Sequence, residues 1–330
     1  MTKWLQLEDF AAARRRVDGA VHRTPLLSFR TLGRLNGTNV WLKCENLQKT
    51  GSFKVRGALN AIATLSPGER ARGVITISAG NHAQAVAWAA GRAGARAVVV
   101  MPEGAARTKV EAAAGYGAEI SLHGDAAMAF AEARRRAHEE GLVFLHPFDA
   151  EPVVAGHGST GLEVGEDIPG RTVVVVPVGG GGQIAGIAGA LAATGRLAGR
   201  GRVRVFGVEP EGAPGMRRSL DEGRPATLNA VRTLADGLAP PMAGELNYRY
   251  VARFAEDVVL VSDDEILSAM RLLLTRAKLV AEPSGAAAAA ALMFGRIPVT
   301  PGETVVALVS GGNVDDDMVV RALREGAPWP

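Results

Sequence analysis

Lys54 has clear chemical potential in this sequence, because it stands where a loop changes into a helix. Thr50, Gly51 and Ser52 are turn and N-cap types, and residues 55–63 are mostly helix formers and small apolar residues. The positive end of the helix dipole lies at the start of a helix, so an ammonium group there is disfavoured and its pKa falls. A lysine that is readily neutral can act as a nucleophile or a base. On this stretch alone, a solvated lysine beside an ordinary N-cap is the simpler explanation.

Small and polar residues follow three segments that we interpret as buried strands. They are the loop of residues 78–82, the run of residues 179–182 and the loop of residues 310–313. In open parallel sheets, ligands bind beyond the carboxyl ends of the strands. Glycines in these loops let the backbone approach a ligand, and the hydroxyl and amide side chains can bind it.

The glycine run, Gly179 to Gly182, is the most informative of these loops. It exposes several backbone N–H groups and a positive helix terminus, which together can hold a phosphate. It is not a P-loop, since no Gly-Lys-Ser/Thr follows, and it matches the dinucleotide-binding fingerprint only loosely. The alternative is that the glycines only allow a helix to pack close to a strand, although packing does not need four in succession.

An amine, a phosphate cradle and a hydroxyl-bearing loop together suggest a phosphorylated aldehyde cofactor held as a Schiff base. The sequence resembles the fold-type II pyridoxal-phosphate enzymes, specifically the threonine/serine dehydratase (ammonia-lyase) and serine racemase branch. Five motifs in the same order carry the resemblance, namely residues 50–58, 78–84, 179–182, 282–285 and 310–313. It covers nearly the whole chain, from about Arg23 to Asn313. It implies an α/β fold of two parallel-sheet domains, similar to the tryptophan synthase β subunit, with the cofactor in the cleft between them.

The resemblance also implies roles for individual residues. Lys54 would bind pyridoxal 5′-phosphate covalently and then remove the α-proton of the substrate. The other cofactor contacts would be Phe53 against the ring, Asn81 at the 3′-oxygen, Gly179, Gly180, Gly181 and Gly182 at the phosphate, and Ser310 at the pyridine nitrogen. The substrate carboxylate would be received by the loop containing Ser78, Ala79, Asn81 and His82. A serine cannot hold the ring nitrogen protonated as an aspartate would, which favours elimination over transamination.

The function implied is α,β-elimination from a β-hydroxy amino acid, with L-threonine and L-serine converted to a 2-oxo acid and ammonia. One alternative is a dehydratase of another such amino acid, hydroxyaspartate or phenylserine, and another is a serine racemase-like enzyme. Racemases of the branch have a serine at position 79 that serves the opposite face of the α-carbon, so Ala79 favours the dehydratase. A non-catalytic nucleotide- or phosphate-binding protein would use the glycine run alone.

Three further positions depart from the pattern of the family. Glu209 agrees with the divalent-metal loop of the relatives, but Gly215 stands where an aspartate is expected. We therefore predict no strong dependence on a divalent metal and assign no metal ligand. His157 and Gln183 replace a glutamine and an aliphatic residue. We expect both to lie near strand ends facing the cofactor, where they could tune substrate choice, although a structural role for His157 is equally open.

The order of apolar segments predicts the architecture. Continuous apolar strands alternate with helices from Gly73 onward, which is typical of parallel sheets covered on both faces. We expect residues 1–70 and 150–330 to form a large cofactor-binding domain and residues 71–149 a small α/β domain. A helix is expected over residues 7–17 and a long one over residues 263–278. The sequence ends soon after the last motif, so we expect no C-terminal regulatory domain.

Composition limits the classes of partner. The 330 residues are 47% hydrophobic and 22% charged, with a formal net charge of +3, as in ordinary globular proteins. The basic runs fall on helical segments without interleaved aromatic residues, so we expect no nucleic-acid partner. The single cysteine, Cys44, excludes a disulfide framework. No signal peptide or bilayer-spanning stretch is found, so we expect a cytoplasmic enzyme and no membrane partner. The resemblance implies a small amino-acid substrate. By analogy with the relatives we expect a homodimer or homotetramer.

Overall fold

The computed structural model describes residues 4–168, 170–198 and 202–328. Within these ranges the chain forms ten strands, which are β1 (Leu26–Ser28), β2 (Asn39–Cys44), β3 (Val74–Ile77), β4 (Ala97–Met101), β5 (Glu119–Leu122), β6 (Val143–Phe144), β7 (Thr172–Pro177), β8 (Val203–Pro210), β9 (Asp257–Val261) and β10 (Thr304–Val309). They make a six-stranded sheet of order β1-β2-β10-β7-β8-β9 and a four-stranded sheet of order β5-β4-β3-β6.

Fourteen α-helices cover and connect these sheets in the described residues. They are α1 (Leu7–Val17), α2 (Arg30–Asn36), α3 (Lys54–Ala63), α4 (Pro67–Arg72), α5 (Asn81–Arg92), α6 (Arg107–Gly115), α7 (Ala126–Glu139), α8 (Glu151–Asp167), α9 (Gly182–Ala193), α10 (Gly215–Glu222), α11 (Glu245–Phe254), α12 (Asp263–Leu272), α13 (Pro283–Met293) and α14 (Asp316–Glu325).

Both sheets are built from parallel strands, as the sequence predicts. Every neighbouring pair is parallel except β1 and β2 at one edge of the larger sheet. All six residues of β7 are buried, which explains why it is a continuous apolar run rather than an alternating one. The strands of the smaller sheet all come from residues 74–144. The domain boundaries themselves stay a prediction.

The helix predicted over residues 263–278 is wrong in its last six residues. The α-helix ends at Leu272, a π-helical turn follows over Leu273–Ala277, and Lys278 has φ +61°. The Thr275 hydroxyl donates to the carbonyl of Arg271 at 2.7 Å, so a side chain occupies the acceptor that the next turn of α-helix would use. The apolar pattern continues through this turn, so the end of the α-helix cannot be recognised from the sequence.

Helix α8 was not predicted, because its four glycines resemble loop residues. Because these glycines have no side chains, they allow other helices to pack closely against α8. A Cβ on Gly156 would lie 2.4 Å from the carbonyl oxygen of Arg56, and one on Gly161 would lie 2.8 Å from that of Ile187. Helix α8 therefore packs directly on the backbones of α3 and α9 and joins these two helices.

A buried charge cluster of Lys43, Glu45, Arg56 and Glu163 joins α3, α8 and the end of β2. The Arg56 guanidinium donates to Glu45 at 2.8 Å and to Glu163 at 2.6 Å, and the Lys43 ammonium donates to Glu163 at 2.6 Å. Burial acts to raise the pKa of Glu45, but the charge of Arg56 outweighs it, so that pKa is lowered. Two positive and two negative groups balance, so no net charge is buried.

Replacing Arg56 with Met should destabilise the protein by about 3–5 kcal/mol, because Glu45 and Glu163 would remain buried without a counter-charge. Urea unfolding measures the loss. The matched control is Arg218→Met, which removes an exposed partner of Glu222 and should change the free energy of unfolding by less than about 1 kcal/mol. Equal effects of the two substitutions would contradict the importance given to the cluster.

Candidate active site

Lys54 is the first residue of α3, where the sequence places it. The loop before it turns sharply, with Thr50 at φ +59° and Gly51 at φ +71°. A Cβ on Gly51 would lie 2.2 Å from the side-chain oxygen of Asn313, so only glycine fits there. The loop also bonds to the last motif, because Phe53 N donates to the carbonyl of Ser310 at 3.1 Å. The first and last motifs of the sequence are therefore one structural unit.

The amine of Lys54 is desolvated, although the residue as a whole is only partly buried. Nζ donates to the carbonyl oxygen of Pro147 at 3.0 Å. Burial lowers the pKa of Lys54 to about 8, while the negative charge of Glu282 opposes that change. At pH 7 this raises the neutral fraction from about one molecule in three thousand to about one in ten. We expected the helix dipole to lower the pKa of Lys54, but the main cause is burial.

The glycine run follows β7 and leads into α9, as predicted. A Cβ on Gly180 would lie 2.4 Å from the ring of Phe148, and one on Gly182 would lie 2.8 Å from the carbonyl oxygen of Phe148. Gly181 has φ +90°. These contacts leave no room for side chains, and no described carbonyl accepts a hydrogen bond from the N–H of Gly180 or Gly181. Free N–H groups at a helix N-terminus are what a phosphate group requires.

Asn247 holds this run in place, and sequence reasoning missed it. Its side chain is fully buried, and Nδ2 donates to the carbonyls of Phe148 at 3.1 Å and of Gly180 at 2.8 Å. Asp149 accepts hydrogen bonds from the N–H groups of Glu245 and Asn247, which caps the start of α11. Helix α11 was not predicted, so no pattern drew attention to Asn247.

The loop between β3 and α5 faces the lysine from the smaller sheet. Ser78 Oγ accepts a hydrogen bond from Gly80 N at 3.1 Å, and the methyl group of Ala79 packs against an apolar cluster of that sheet. Asn81 is the first residue of α5. Its Nδ2 donates to Glu282 at 2.7 Å, and its Oδ1 accepts from Asn313 at 2.8 Å. Glu282 belongs to one of the five motifs but was not predicted as a site residue.

Ser310 closes the site from the end of β10. Its hydroxyl is buried and donates over a long 3.4 Å to the carbonyl of Ser284. Gly237 separates Ser284 from the glycine run, since a Cβ on Gly237 would lie 2.7 Å from Ser284 Oγ and one on Gly179 would lie 3.0 Å from the Gly237 carbonyl. The 3-10 turn Asp236–Leu238 therefore forms one wall of the cleft.

His157 lies inside a helix and does not directly follow a strand, which corrects part of the prediction. It is in the middle of α8, 1% exposed, and its ring meets that of Phe53 edge-on with centroids 4.8 Å apart. It also packs against Gly57, where a Cβ would lie 2.4 Å from Nε2. Burial first, and then the charge of Lys54, lower the pKa of His157 to about 3, so the imidazole is neutral. Gln183, the second residue of α9, does follow a strand as expected.

Several buried polar atoms around the lysine have no hydrogen-bond partner among the described residues. They are both ring nitrogens of His82 and of His157, both amide atoms of Gln183, and the hydroxyls of Ser52 and Ser284. Buried polar groups without partners are costly, so a cluster of them indicates a place where a polar ligand binds. With an amine at Lys54 and free N–H groups in the glycine run, these residues fit an aldehyde that carries a phosphate, as pyridoxal phosphate does.

Glu209 is engaged by the protein itself. Its two carboxylate oxygens accept hydrogen bonds from the N–H groups of Met216 at 2.7 Å and Arg217 at 2.8 Å, at the start of α10. Burial raises the pKa of Glu209 to about 8. The described part of the chain contains no group of three or more metal-binding side chains. Independence from divalent metals stays a prediction.

Comparison with known proteins gives consistent matches. The sequence matches the family described as pyridoxal-phosphate dependent enzyme over residues 17–311. It is similar to the L-threonine ammonia-lyase of Thermotoga maritima, with 43% identity over 98% of this chain and 79% of that protein. It is also similar to two solved structures, each covering 94% of this chain and 99% of the other. These are the T.th. threonine deaminase, with 42% identity and a TM-score of 0.85, and serine racemase from Dictyostelium discoideum, with 36% and 0.87.

Replacing Gly180 with Ala should weaken cofactor binding by about tenfold or more, since the new methyl group would displace the Phe148 ring and shift the N–H groups beside it. Titration with pyridoxal phosphate, followed by visible absorbance, measures the dissociation constant. Gly104→Ala is the matched control, because a Cβ there meets nothing within 4 Å. Unchanged affinity in Gly180→Ala would argue against a phosphate site in the glycine run.

Proposed function

This chain belongs to the family of pyridoxal-phosphate dependent enzymes, and we propose that it is the lyase of that family that dehydrates and deaminates L-threonine and L-serine. Its relatives at 39–43% identity are L-threonine ammonia-lyases and dehydratases. The products would be a 2-oxo acid and ammonia. The observation that carries the proposal is the Lys54 amine, which is desolvated and lies in a cleft with the glycine run and the loop of residues 78–82.

Bound pyridoxal phosphate withdraws electrons from the α-carbon of an amino acid and so makes its α-proton acidic. The protein supplies the rest. Lys54 Nζ, neutral in a usable fraction of molecules near pH 8, accepts that proton. Gly179 to Gly182 would hold the phosphate, and Phe53 would pack on the ring. The N–H groups and side chains of Ser78, Asn81 and His82 would receive the substrate carboxylate, and Ser310 would offer a neutral hydroxyl to the ring nitrogen.

The overall reaction converts threonine to 2-oxobutanoate and ammonia, with one water released and one water taken up. Threonine loses its α-proton and its β-hydroxyl, which leave as water, and the enamine that remains takes up one water and releases ammonia to give 2-oxobutanoate. The buried, neutral side chains of His157 and Gln183 beside Phe53 and the glycine run limit the water in the cleft. Exclusion of water protects the reacting carbon from proton exchange with solvent.

Serine racemisation is the second candidate, since the fold and sequence are also similar to a serine racemase. That reaction needs a proton donor on the face of the α-carbon opposite Lys54. Ala79 carries no such group, since its side chain is a partly exposed methyl. We therefore propose dehydration as the main activity, with hydroxyaspartate and phenylserine as the substrates to try next.

The purified enzyme should show a visible absorbance band that changes when L-threonine is added, and 2-oxobutanoate should form. Lys54→Ala should lose both the band and more than about 99.9% of the turnover, because the amine binds the cofactor and moves the proton. Lys49→Ala, which removes an exposed lysine from the same loop, is the matched control and should behave like the wild type. Turnover that survives Lys54→Ala would disprove the assignment.

L-Serine should give pyruvate with little D-serine, and Ala79→Ser should raise the ratio of D-serine to pyruvate because it adds a hydroxyl on the second face. Chiral chromatography measures both products. Gly104→Ala again serves as an unrelated control substitution. D-Serine formed by the wild type at a rate equal to pyruvate would favour the racemase.

Some properties stay predictions from the resemblance. They are the two domains, of residues 1–70 with 150–330 and of residues 71–149, a homodimeric or homotetrameric assembly, and a cytoplasmic location. No helix in the described residues has the length and apolar character needed to cross a membrane.

A further inference from the structure

The side-chain amide of Asn81 is hydrogen-bonded on both sides by residues from loops of the larger sheet. Asn313 Nδ2 donates to the carbonyl oxygen of Thr50 at 2.8 Å and to Asn81 Oδ1 at 2.8 Å. Asn81 Nδ2 donates to Glu282 Oε1 at 2.7 Å. The three motifs that supply the lysine, the 78–82 loop and the last loop are thus connected in one chain of hydrogen bonds that ends at Glu282.

The groups at the two ends of this series of hydrogen bonds determine which atoms donate and which accept. A backbone carbonyl can only accept, so both N–H groups of Asn313 are used as donors, and Asn81 must turn its oxygen towards Asn313. Because Asn313 uses the oxygen of Asn81, the amide NH2 group of Asn81 faces Glu282, and Glu282 Oε1 accepts from it in either charge state of the carboxyl group. One N–H of Asn81 is left over, and its direction is fixed. It is available to the ring oxygen of the cofactor, the contact that the family resemblance implies.

Glu282 is packed tightly and surrounded by a small set of charged groups. It is 6% exposed, and a Cβ on Gly311 would lie 2.0 Å from its Oε1. The charges that act on it come from Asp236, which disfavours its ionisation, and from Lys109 and Lys54, which favour it. Lys109 itself pairs with Asp236. Burial is the largest influence and raises the pKa of Glu282 to about 8.

The coupling between Glu282 and Lys54 is mutual. Glu282 is the charge that opposes the lowering of the Lys54 pKa. A negative Glu282 stabilises the ammonium form of Lys54, and a neutral Glu282 leaves more of the free amine. Both groups have a pKa of about 8, so they change charge in the same pH range.

We propose that Glu282 is a positioning residue for the proposed elimination, which orients the Asn81 amide through its hydrogen bond and acts on the Lys54 amine through its charge. The proposal rests on the proposed function and adds a residue to it. Glu282 contacts neither Lys54 nor the glycine run through a hydrogen bond, so it acts through Asn81 and through the electric field in the cleft.

Two substitutions separate these roles. Glu282→Gln keeps an oxygen that can accept from Asn81 but removes the charge. The acid limb of the kcat–pH profile for L-threonine should then move to lower pH, by up to about one unit, because the Lys54 ammonium loses its counter-charge. Glu282→Asp keeps the charge but withdraws the carboxylate from Asn81. Its profile should stay in place, while the dissociation constant for pyridoxal phosphate should rise about tenfold.

A second readout does not depend on turnover. The full-length enzyme is stripped of cofactor, and the rate at which pyridoxal phosphate adds is followed by visible absorbance against pH. Addition needs the neutral Lys54 amine, so the midpoint should fall in Glu282→Gln and stay unchanged in Glu282→Asp. Glu303→Gln is the control, since it neutralises a buried carboxylate paired with Arg204 at the opposite end of β10.

The proposal is overturned if both substitutions leave the profile, the midpoint and the cofactor affinity at wild-type values, or if Glu303→Gln shifts them equally. It is also overturned if Gln and Asp at position 282 give the same change. Should the wild type fail to consume threonine, the proposed substrate falls, but the cofactor-addition readout still decides the role of Glu282.

Discussion

The balance of charge in the buried cluster of Lys43, Glu45, Arg56 and Glu163 is the constraint on which the rest of the structure depends. Arg56 lies two residues after Lys54, on the same first turn of α3. Its guanidinium is fixed by both glutamates, one from the segment after β2 and one from α8. The lysine therefore sits on a helix whose position is set by directional bonds and not only by apolar packing. Because the four charges cancel, the cluster fixes the helix without adding net charge near the amine.

The cleft itself is made of loops that support one another. The loop before Lys54 is shaped by Asn313 and Ser310, the glycine run is held by Asn247 and Phe148, and Asn81 is held by residues from the larger sheet. Each loop follows the carboxyl end of a parallel strand, so the topology of the sheets brings them together before any side chain is considered. Rigid support of this kind leaves the unpartnered polar atoms facing the cleft, where a ligand can satisfy them.

The sequence was sufficient for the parts that depend on short-range patterns. The strands from Gly73 onward, helix α1, Lys54 at the start of α3 and the glycine run before α9 all follow from periodicity, turn residues and ordered motifs. It was insufficient where glycine allows helix contact, as in α8, or where contacts join distant residues. His157 was placed wrongly for the first reason, and Asn247 was missed for the second. Glu282 stands in a recognised motif, but its bond to Asn81 spans 201 positions, and no local pattern records that distance.

Burial disfavours the charged form of the titratable groups in the cleft. Burial lowers the pKa of Lys54, His82 and His157 and raises that of Glu282. The histidines cannot compete for a proton, because their pKa values lie well below that of the lysine. Lys54 and Glu282 thus both change charge near pH 8. A lysine that must take up one proton and return it in every turnover is served by such a site, since His82 and His157 do not hold the proton.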